Sequence, residues 1–299
     1  MITASGLGRT YSGRRGISGI DLAVEAGEVV GLVGPNGSGK TTLARLLATL
    51  SAPTAGTVSW FGSADRRSRA VRRRLGVVTD EPAHFDHLSG RQNVEFFAAV
   101  YGGGDADGAL KRFGLTDAAE RPVREYSLGM RRRLALAEAA VHSPDLLVLD
   151  EPTLGLDHAG ELDLLTELGA VAAGGGAVVL ATNDVAVAER ACTRVLFLHA
   201  GRPLREGRPA DLLAEVGATQ EIELALAGAV DASRVALVPG VQGVAPCPAG
   251  LRVLARRDLN PALVLAALDG TAGMVTGVAI RKPDLGDLFL KLTGQALDG

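Results

Sequence analysis

The sequence has no run of ~18 consecutive apolar residues, the least that a membrane-spanning helix needs, so any membrane role is expected to come through a partner. Cysteine is nearly absent. The two present, Cys192 and Cys247, fall at no metal-ligand or C-x-x-C spacing, and a reduced cytosolic setting fits them. Excess charge of one sign is lacking too: 31 Lys and Arg against 34 Asp and Glu leave a net charge of −3, which gives no electrostatic case for a nucleic-acid partner. Met1-Ile2-Thr3-Ala4 opens without a basic segment followed by an apolar one, so no secretory signal is expected. There is no internal repeat and no sustained heptad pattern, which speaks against solenoids and coiled coils. What remains is a chain that is 47% hydrophobic, enough to fill a core, and long enough at 299 residues for one large domain and a small one.

The most informative stretch is Gly34-Pro35-Asn36-Gly37-Ser38-Gly39-Lys40-Thr41. The apolar run Val29 to Val33 precedes it and reads as a short buried strand, and Thr42 to Ala48 follows with helical spacing. A strand, a Gly-rich loop and a helix are the context that makes G-x-x-x-x-G-K-[ST] a phosphate site. Glycines let main-chain N–H groups curl around an anion, and the helix N-terminus adds free donors and a positive dipole end. Lys40 is expected to reach the β- and γ-phosphates of a nucleotide, and the Thr41 hydroxyl to ligate Mg²⁺.

Further strands read as apolar runs: Thr57 to Phe61, Leu75 to Thr79 closed by Asp80-Glu81-Pro82, and Leu146 to Leu149 closed by Asp150-Glu151-Pro152. Carboxylates at the carboxyl end of a doubly buried strand project into the crevice where ligands bind. Asp150 is therefore expected to hold Mg²⁺ through water, and Glu151 to polarise an attacking water beside the γ-phosphate. Ala177 to Thr182, ending in Asn183-Asp184, and Val195 to Leu198 complete the buried strands. Between the second and third of these lies a helical stretch from about residue 83 to 141, clearest at Asn93–Tyr101 and Asp105–Phe113. In it Ser127 suits a helix N-cap, and His84 and His87, lacking a carboxylate or Cys beside them, read as solvated loop residues. The arginine run from Arg66 to Arg74 lacks interleaved aromatics and reads as a solvated helix face. Tyr11, near Ser12-Gly13, is either a ring that stacks on an adenine or an exposed tyrosine.

From about Gln220 the pattern changes to short alternating strands at Glu221–Leu224 and Leu251–Leu254, a helix at 261–268, a strand at 275–280 and a final helix capped by Asp284. No catalytic constellation occurs there. The fold expected is α/β: a P-loop NTPase core of RecA type over residues 1–217 with a helical insert at about 83–141, then a small α+β domain over 218–299.

Over residues 1 to about 217 the chain resembles the nucleotide-binding subunit of ATP-binding-cassette (ABC) transporters. GPNGSGKT is similar to the Walker A loop, LLVLDEP to the Walker B strand with Glu151 as general base, YSLGM with three following arginines to the signature motif, and LGLD ending at Asp157 to the D-loop. Tyr11 lies where the adenine-stacking aromatic belongs, and the tail from Pro283 to Gly294 is similar to the extension of ABC-2 type drug exporters. The resemblance implies ATP and Mg²⁺ as cofactors and contacts along the whole loop, from Gly34, Pro35, Asn36, Gly37, Ser38 and Gly39 to Lys40, Thr41 and Thr42. It also implies a head-to-tail dimer, homo- or heteromeric, in which Ser127 and Gly129 of one cassette reach the γ-phosphate held by the other. A separate integral membrane permease would be driven from the cytoplasmic face, touching the stretch from Pro82 to Asn93.

Two positions depart from that family's pattern. Asp80, or Glu81 if the loop slips by one, stands where a Gln is usual, and a carboxylate there still binds Mg²⁺ but adds charge beside the phosphates. Asn183 stands where a His is usual and donates a hydrogen bond without becoming cationic. Hydrolysis is expected, at a reduced rate; the alternative is a nucleotide-gated clamp working beside an active cassette.

Overall fold

The computed structural model describes residues 1–11, 14–217, 219–227, 232–248, 250–268 and 275–297, with the main chain only at Arg14 and Arg15. The Ser12-Gly13 pair lies outside the described residues. The chain divides into two compact units, Met1–Pro209 together with Gln295–Gly299, and Ala210–Gly294.

The first unit opens with β1 (Ile2–Tyr11), β2 (Arg14–Val24), β3 (Val29–Val33), α1 (Lys40–Leu47), β4 (Ala55–Trp60), α2 (Arg69–Arg72) and β5 (Leu75–Val78). The helical stretch supplies α3 (Gly90–Tyr101), α4 (Ala106–Arg112) and α5 (Leu128–Ala140). Then come β6 (Leu146–Asp150), α6 (His158–Ala173), β7 (Ala177–Thr182), α7 (Val185–Ala191), β8 (Arg194–His199) and β9 (Arg202–Gly207), and α8 (Pro209–Val216) follows, belonging to the second unit from Ala210 on. Six strands form one sheet in the order β5-β6-β7-β3-β8-β9, parallel from β5 to β8, with β9 antiparallel at the edge. Strands β3, β6 and β7 are buried at every residue, which is why they read as uninterrupted apolar runs. A second, antiparallel sheet of order β2-β1-β4 shares one core with α1 and the large sheet, through Ile2, Leu7, Ile20, Leu43, Leu47, Trp60, Val148 and Val179 among others. The Trp60 indole N–H donates to the Leu47 carbonyl at 2.7 Å, satisfying a buried polar atom and one free carbonyl at the end of α1 together.

Helix α3 starts at Gly90, three residues before the apolar spacing suggests, because Ser89 and Gln92 form a reciprocal capping box. The arginine run yields only the single turn α2; Arg74 leaves it to pair with Asp145 and to cover the Phe61 ring at 3.8 Å. His84 is not solvated: its side chain is 1% exposed, and Nδ1 lies 3.0 Å from the buried Glu138 Oε1 on α5. The carboxylate partner is 54 residues away in sequence, so local spacing carries no trace of it.

The second unit holds β10 (Thr219–Leu226), α9 (Ser233–Ala236), β11 (Val241–Cys247), β12 (Gly250–Arg256), α10 (Pro261–Ala266), β13 (Val275–Arg281) and α11 (Leu285–Thr293). Its strands pair antiparallel in the order β11-β12-β10-β13, and Ile222, Leu224, Val253, Ala255 and Val264 fill a core of their own. Alternation along β12 marks a sheet buried on one face. Strand β11 carries no such regular alternation, and the sequence pattern passes over it.

Candidate functional site

The register of the large sheet brings the motifs together. Val33 on β3 pairs with Thr182 on β7, and Asp150 on β6 with Ala181, so three strands end at one level with Gly34, Glu151 and Asn183 immediately beyond. Between β3 and α1 the chain folds into a cradle that tolerates few side chains. A Cβ on Gly34 would stand 2.2 Å from the Leu198 carbonyl, and Gly39, the N-cap of α1, has φ +105° and would drive a Cβ to 2.4 Å from Ile17. The N-terminus of α1 therefore opens onto a loop of bare backbone, the arrangement that binds phosphate.

Lys40 is 6% exposed, and its Nζ donates to the carbonyls of Gly34 at 2.6 Å and Pro35 at 3.3 Å, with Glu151 Oε1 at 3.7 Å. Burial lowers the Lys40 pKa below the usual lysine value, against the pull of Glu151 and Asp150. The Thr41 hydroxyl donates to Asp150 Oδ1 at 3.2 Å. Burial raises the Asp150 pKa, the charge of Asp80 adds to that rise, and Thr41, Arg45 and Lys40 oppose it. Glu151 is likewise raised by burial, with Asp150 adding, while Lys40, the Thr182 hydroxyl and the main-chain N–H of Asn183 pull it down. Its backbone stands at φ +47°, rare for a residue with a side chain, and its N–H donates to the Ala181 carbonyl at 2.9 Å. That turn aims the carboxylate back towards Lys40.

Two buried oxygens here lack any hydrogen-bond partner: Ser38 Oγ and Asp150 Oδ2. Buried polar atoms are rarely left so. A free carboxylate oxygen beside a threonine hydroxyl suits a hard divalent cation, and the glycine cradle with the Lys40 ammonium suits a polyphosphate. The residues present fit a magnesium-bound nucleotide.

The other expected residues lie around this wall or apart from it. Tyr11 is 39% exposed at the end of β1, with Arg9 5.0 Å from its ring centroid; its ring covers Gly16, whose carbonyl faces Gly39. Asp80, half-exposed after β5, holds Arg45 Nη2 at 3.2 Å. Ser127 caps α5 by accepting from the Met130 N–H at 3.2 Å, and a Cβ on Gly129 would come 2.9 Å from the Gly155 carbonyl. Asp157 caps α6 by accepting from the Gly160 N–H at 2.9 Å. Ser127, Gly129 and the 153–157 loop thus form a second patch, and no hydrogen bond among the described residues joins it to the phosphate loop. The sequence reading assigned no role to Arg132, the second of the three signature arginines and the fifth residue of α5, whose guanidinium donates to the carbonyls of Thr79 and Asp80 at 2.9 Å each. It also missed Thr182, whose hydroxyl helps hold Glu151.

A parallel sheet whose strand ends carry this loop and these two carboxylates defines a P-loop ATPase fold. The family model described as ABC transporter matches residues 17–154. The chain is 37% identical to daunorubicin resistance ATP-binding protein DrrA3 of Streptomyces coeruleorubidus, over 98% of this chain and 96% of that one. It is 35% identical to Nod factor export ATP-binding protein I of Rhizobium sp. (strain N33), over 99% and 98%. Among solved structures, an ATP-binding subunit of an ABC transporter superimposes with TM-score 0.67 at 26% identity, covering 72% of this chain and 92% of that one. A dimeric ATP-binding cassette in a post-hydrolysis state with ADP and Pi does so with TM-score 0.65 at 25% identity, covering 70% and 98%. The chain belongs to the ABC transporter family, as an ATP-binding and ATP-hydrolysing subunit whose cofactors are ATP and Mg²⁺.

Proposed function

We propose that this chain powers an ABC-2 type exporter, closing with a second cassette over ATP and driving a separate integral membrane permease from the cytoplasmic face of the membrane. One observation carries the reading: a phosphate wall assembled within one chain, and an exposed, capped start of the signature helix that no hydrogen bond among the described residues joins to that wall. The relatives are named for daunorubicin resistance and for Nod factor export, which supports export as the direction. No described helix is long and apolar enough to cross a membrane, so the translocation path belongs to the permease. Residues 1–217 are the ATP-binding domain with its helical insert at about 83–141, and 218–299 an accessory domain.

In this reading the main-chain N–H groups from Asn36 to Thr42 would hold the phosphates, and Lys40 would exchange its two carbonyl partners for β- and γ-phosphate oxygens. Thr41 and Asp150 would hold the metal, with Asp80 as a further candidate, and Tyr11 would offer its ring to the adenine. Bound Mg²⁺ neutralises charge on the phosphate oxygens. Glu151, its pKa raised by burial, takes the proton of a water that it orients, and the Asn183 amide donates a hydrogen bond to the phosphate side. Ser127, Gly129 and Asp157 serve the nucleotide of the opposite cassette.

Steady-state phosphate release from the purified chain tests the reading. The wild type is expected to exceed a Glu151→Gln control by about 10²-fold or more. Asn183→His is expected to raise turnover by up to about tenfold, because an imidazole donates more strongly than an amide. A wild type equal to Glu151→Gln, with turnover recovered only by Asn183→His, would establish the clamp in place of the motor.

A further inference from the structure

The carboxylate at position 80 creates an electrostatic difficulty, and the structure holds what relieves it. Asp80 follows β5, and Asp150 and Glu151 stand at the end of β6, the strand paired beside it: the charge of Asp80 acts on Asp150, and that of Asp150 on Glu151. A polyphosphate would bring further negative charge to the same place. Close like charges repel by amounts that decide affinity, even where solvent screens them.

Two cations answer Asp80 from opposite sides. Arg45, on the exposed side of α1, sets Nη2 3.2 Å from Asp80 Oδ1. Arg132 comes from within. It is 3% exposed, and its guanidinium donates to the carbonyls of Thr79 and Asp80, while Nε has no partner. Among the described residues no carboxylate lies within ion-pair distance of Arg132, yet the three whose charges act on it are Asp80, Asp150 and Glu151. A buried cation without a contacting anion is costly, and two carbonyl acceptors compensate it only partly. The charges of the three carboxylates offset part of what is left, and burial still lowers the Arg132 pKa. With Lys40 beside Glu151, three cations, Lys40, Arg45 and Arg132, stand against three anions.

We propose that Arg45 and Arg132 are positioning residues that neutralise Asp80 and fix its loop, so that this cassette carries an acid beside its phosphate site without losing nucleotide affinity. Arg45 screens the side chain, and Arg132 holds the backbone of Thr79 and Asp80 to the signature helix while balancing charge from beneath. The proposal rests on the nucleotide-binding reading above and adds to it a reason for Arg45, outside the motifs, and for the middle one of the three signature arginines.

A double-mutant cycle read by calorimetric ATP binding to the full-length chain, with Mg²⁺ and with EDTA, tests it. Arg45→Gln is expected to weaken ATP about tenfold beside Asp80, and less than about twofold in an Asp80→Gln background. Arg132→Met is expected to lose at least about fivefold less in that background than in the wild type, and Arg132→Lys to stay within about threefold of wild type. Equal losses in both backgrounds would overturn the proposal, since a purely structural role does not depend on the charge at position 80. Should Arg132→Met fail to give a cooperative melt, the Arg45 cycle and Arg132→Lys decide: a Lys variant that melts normally but binds ten times worse removes Arg132 from the balance. Wild type and Lys40→Ala are measured alongside. Absence of ATP binding by wild type would remove the nucleotide reading itself, whereas tight binding lost in Lys40→Ala, with no dependence on position 80, would remove only this inference.

Discussion

The phosphate wall and the signature patch are built in opposite ways within one unit. The first is enclosed: Ser38, Lys40, Asp150 and Thr182 are all buried, the Lys40 ammonium and the Thr41 hydroxyl donate to carbonyls and a carboxylate of the same chain, and Ser38 Oγ and Asp150 Oδ2 are held there without partners. The second is open: Ser127 is exposed, Leu128 is 63% exposed, and α5 begins there with Ser127 answering the Met130 N–H as its cap. The enclosed wall is organised before any ligand arrives, while the open one presents an exposed helix start and an apolar side chain backed only on one side, by the loop at Gly155. That asymmetry is what a composite site requires, one half rigid and complete in each chain and the other half offered outward.

The enclosed wall is broken most severely by Lys40→Ala. Lys40 is the buried ammonium at the cradle, and no neighbouring cation replaces it there, since Arg45 is engaged with Asp80 and Arg132 with two carbonyls. ATP affinity by calorimetry is expected to fall at least about 100-fold, in keeping with the loss of a desolvated charge-assisted contact. A loss below tenfold would mean that the cradle is not the phosphate site.

The open patch is expected to respond differently. Gly129→Val places a Cβ 2.9 Å from the Gly155 carbonyl and pushes the first turn of α5 away from the 153–157 loop. ATP affinity of the isolated chain should stay within about twofold, whereas ATP-dependent dimerisation by a Glu151→Gln chain, followed by light scattering, should weaken about tenfold. If Gly129→Val instead reduced ATP affinity of the single chain as Lys40→Ala does, the two walls would not be independent.

The difference between the walls also explains what could be read in advance. Lys40, Asp150 and Glu151 were legible because local rules place them: doubly buried strands are continuous apolar runs, and the residues at their carboxyl ends face the crevice. The geometry between strands was not. Nothing near residue 84 announces Glu138, and nothing near Arg132 announces the carbonyls of Thr79 and Asp80, because those partners are set by how α5 crosses the end of β5. The φ of +47° at Glu151 was hidden for a related reason, since an L-residue enters that region only when its surroundings force it. In the second unit β10 and β12 were visible through their alternation, while β11 was not, having no regular period.

The two thiols compare the wall with the second unit without any substitution in the site. Cys192, just before β8, lies against the middle of β3, with Sγ 2.7 Å from where a Cβ on Gly31 would stand, and burial pushes its pKa up to about 12. Cys247, on β11 of the second unit, is half-buried. At pH 8 a maleimide should label Cys247 in the native chain and Cys192 only when the wall opens. ATP at 100 times its dissociation constant should then slow Cys192 labelling by up to about 100-fold while leaving Cys247 unchanged, because a ligand stabilises only the state that binds it. The pH dependence has a definite sign. A thiol whose folded pKa lies above its unfolded value contributes stability in full below pH 9 and loses it as pH rises towards 12, since the unfolded chain sheds the proton first. Over that window the wild type should lose stability relative to Cys192→Ala. A parallel decline of the two proteins would mean that Cys192 reaches solvent in the native state, and the wall would then be less enclosed than its partner-free oxygens indicate.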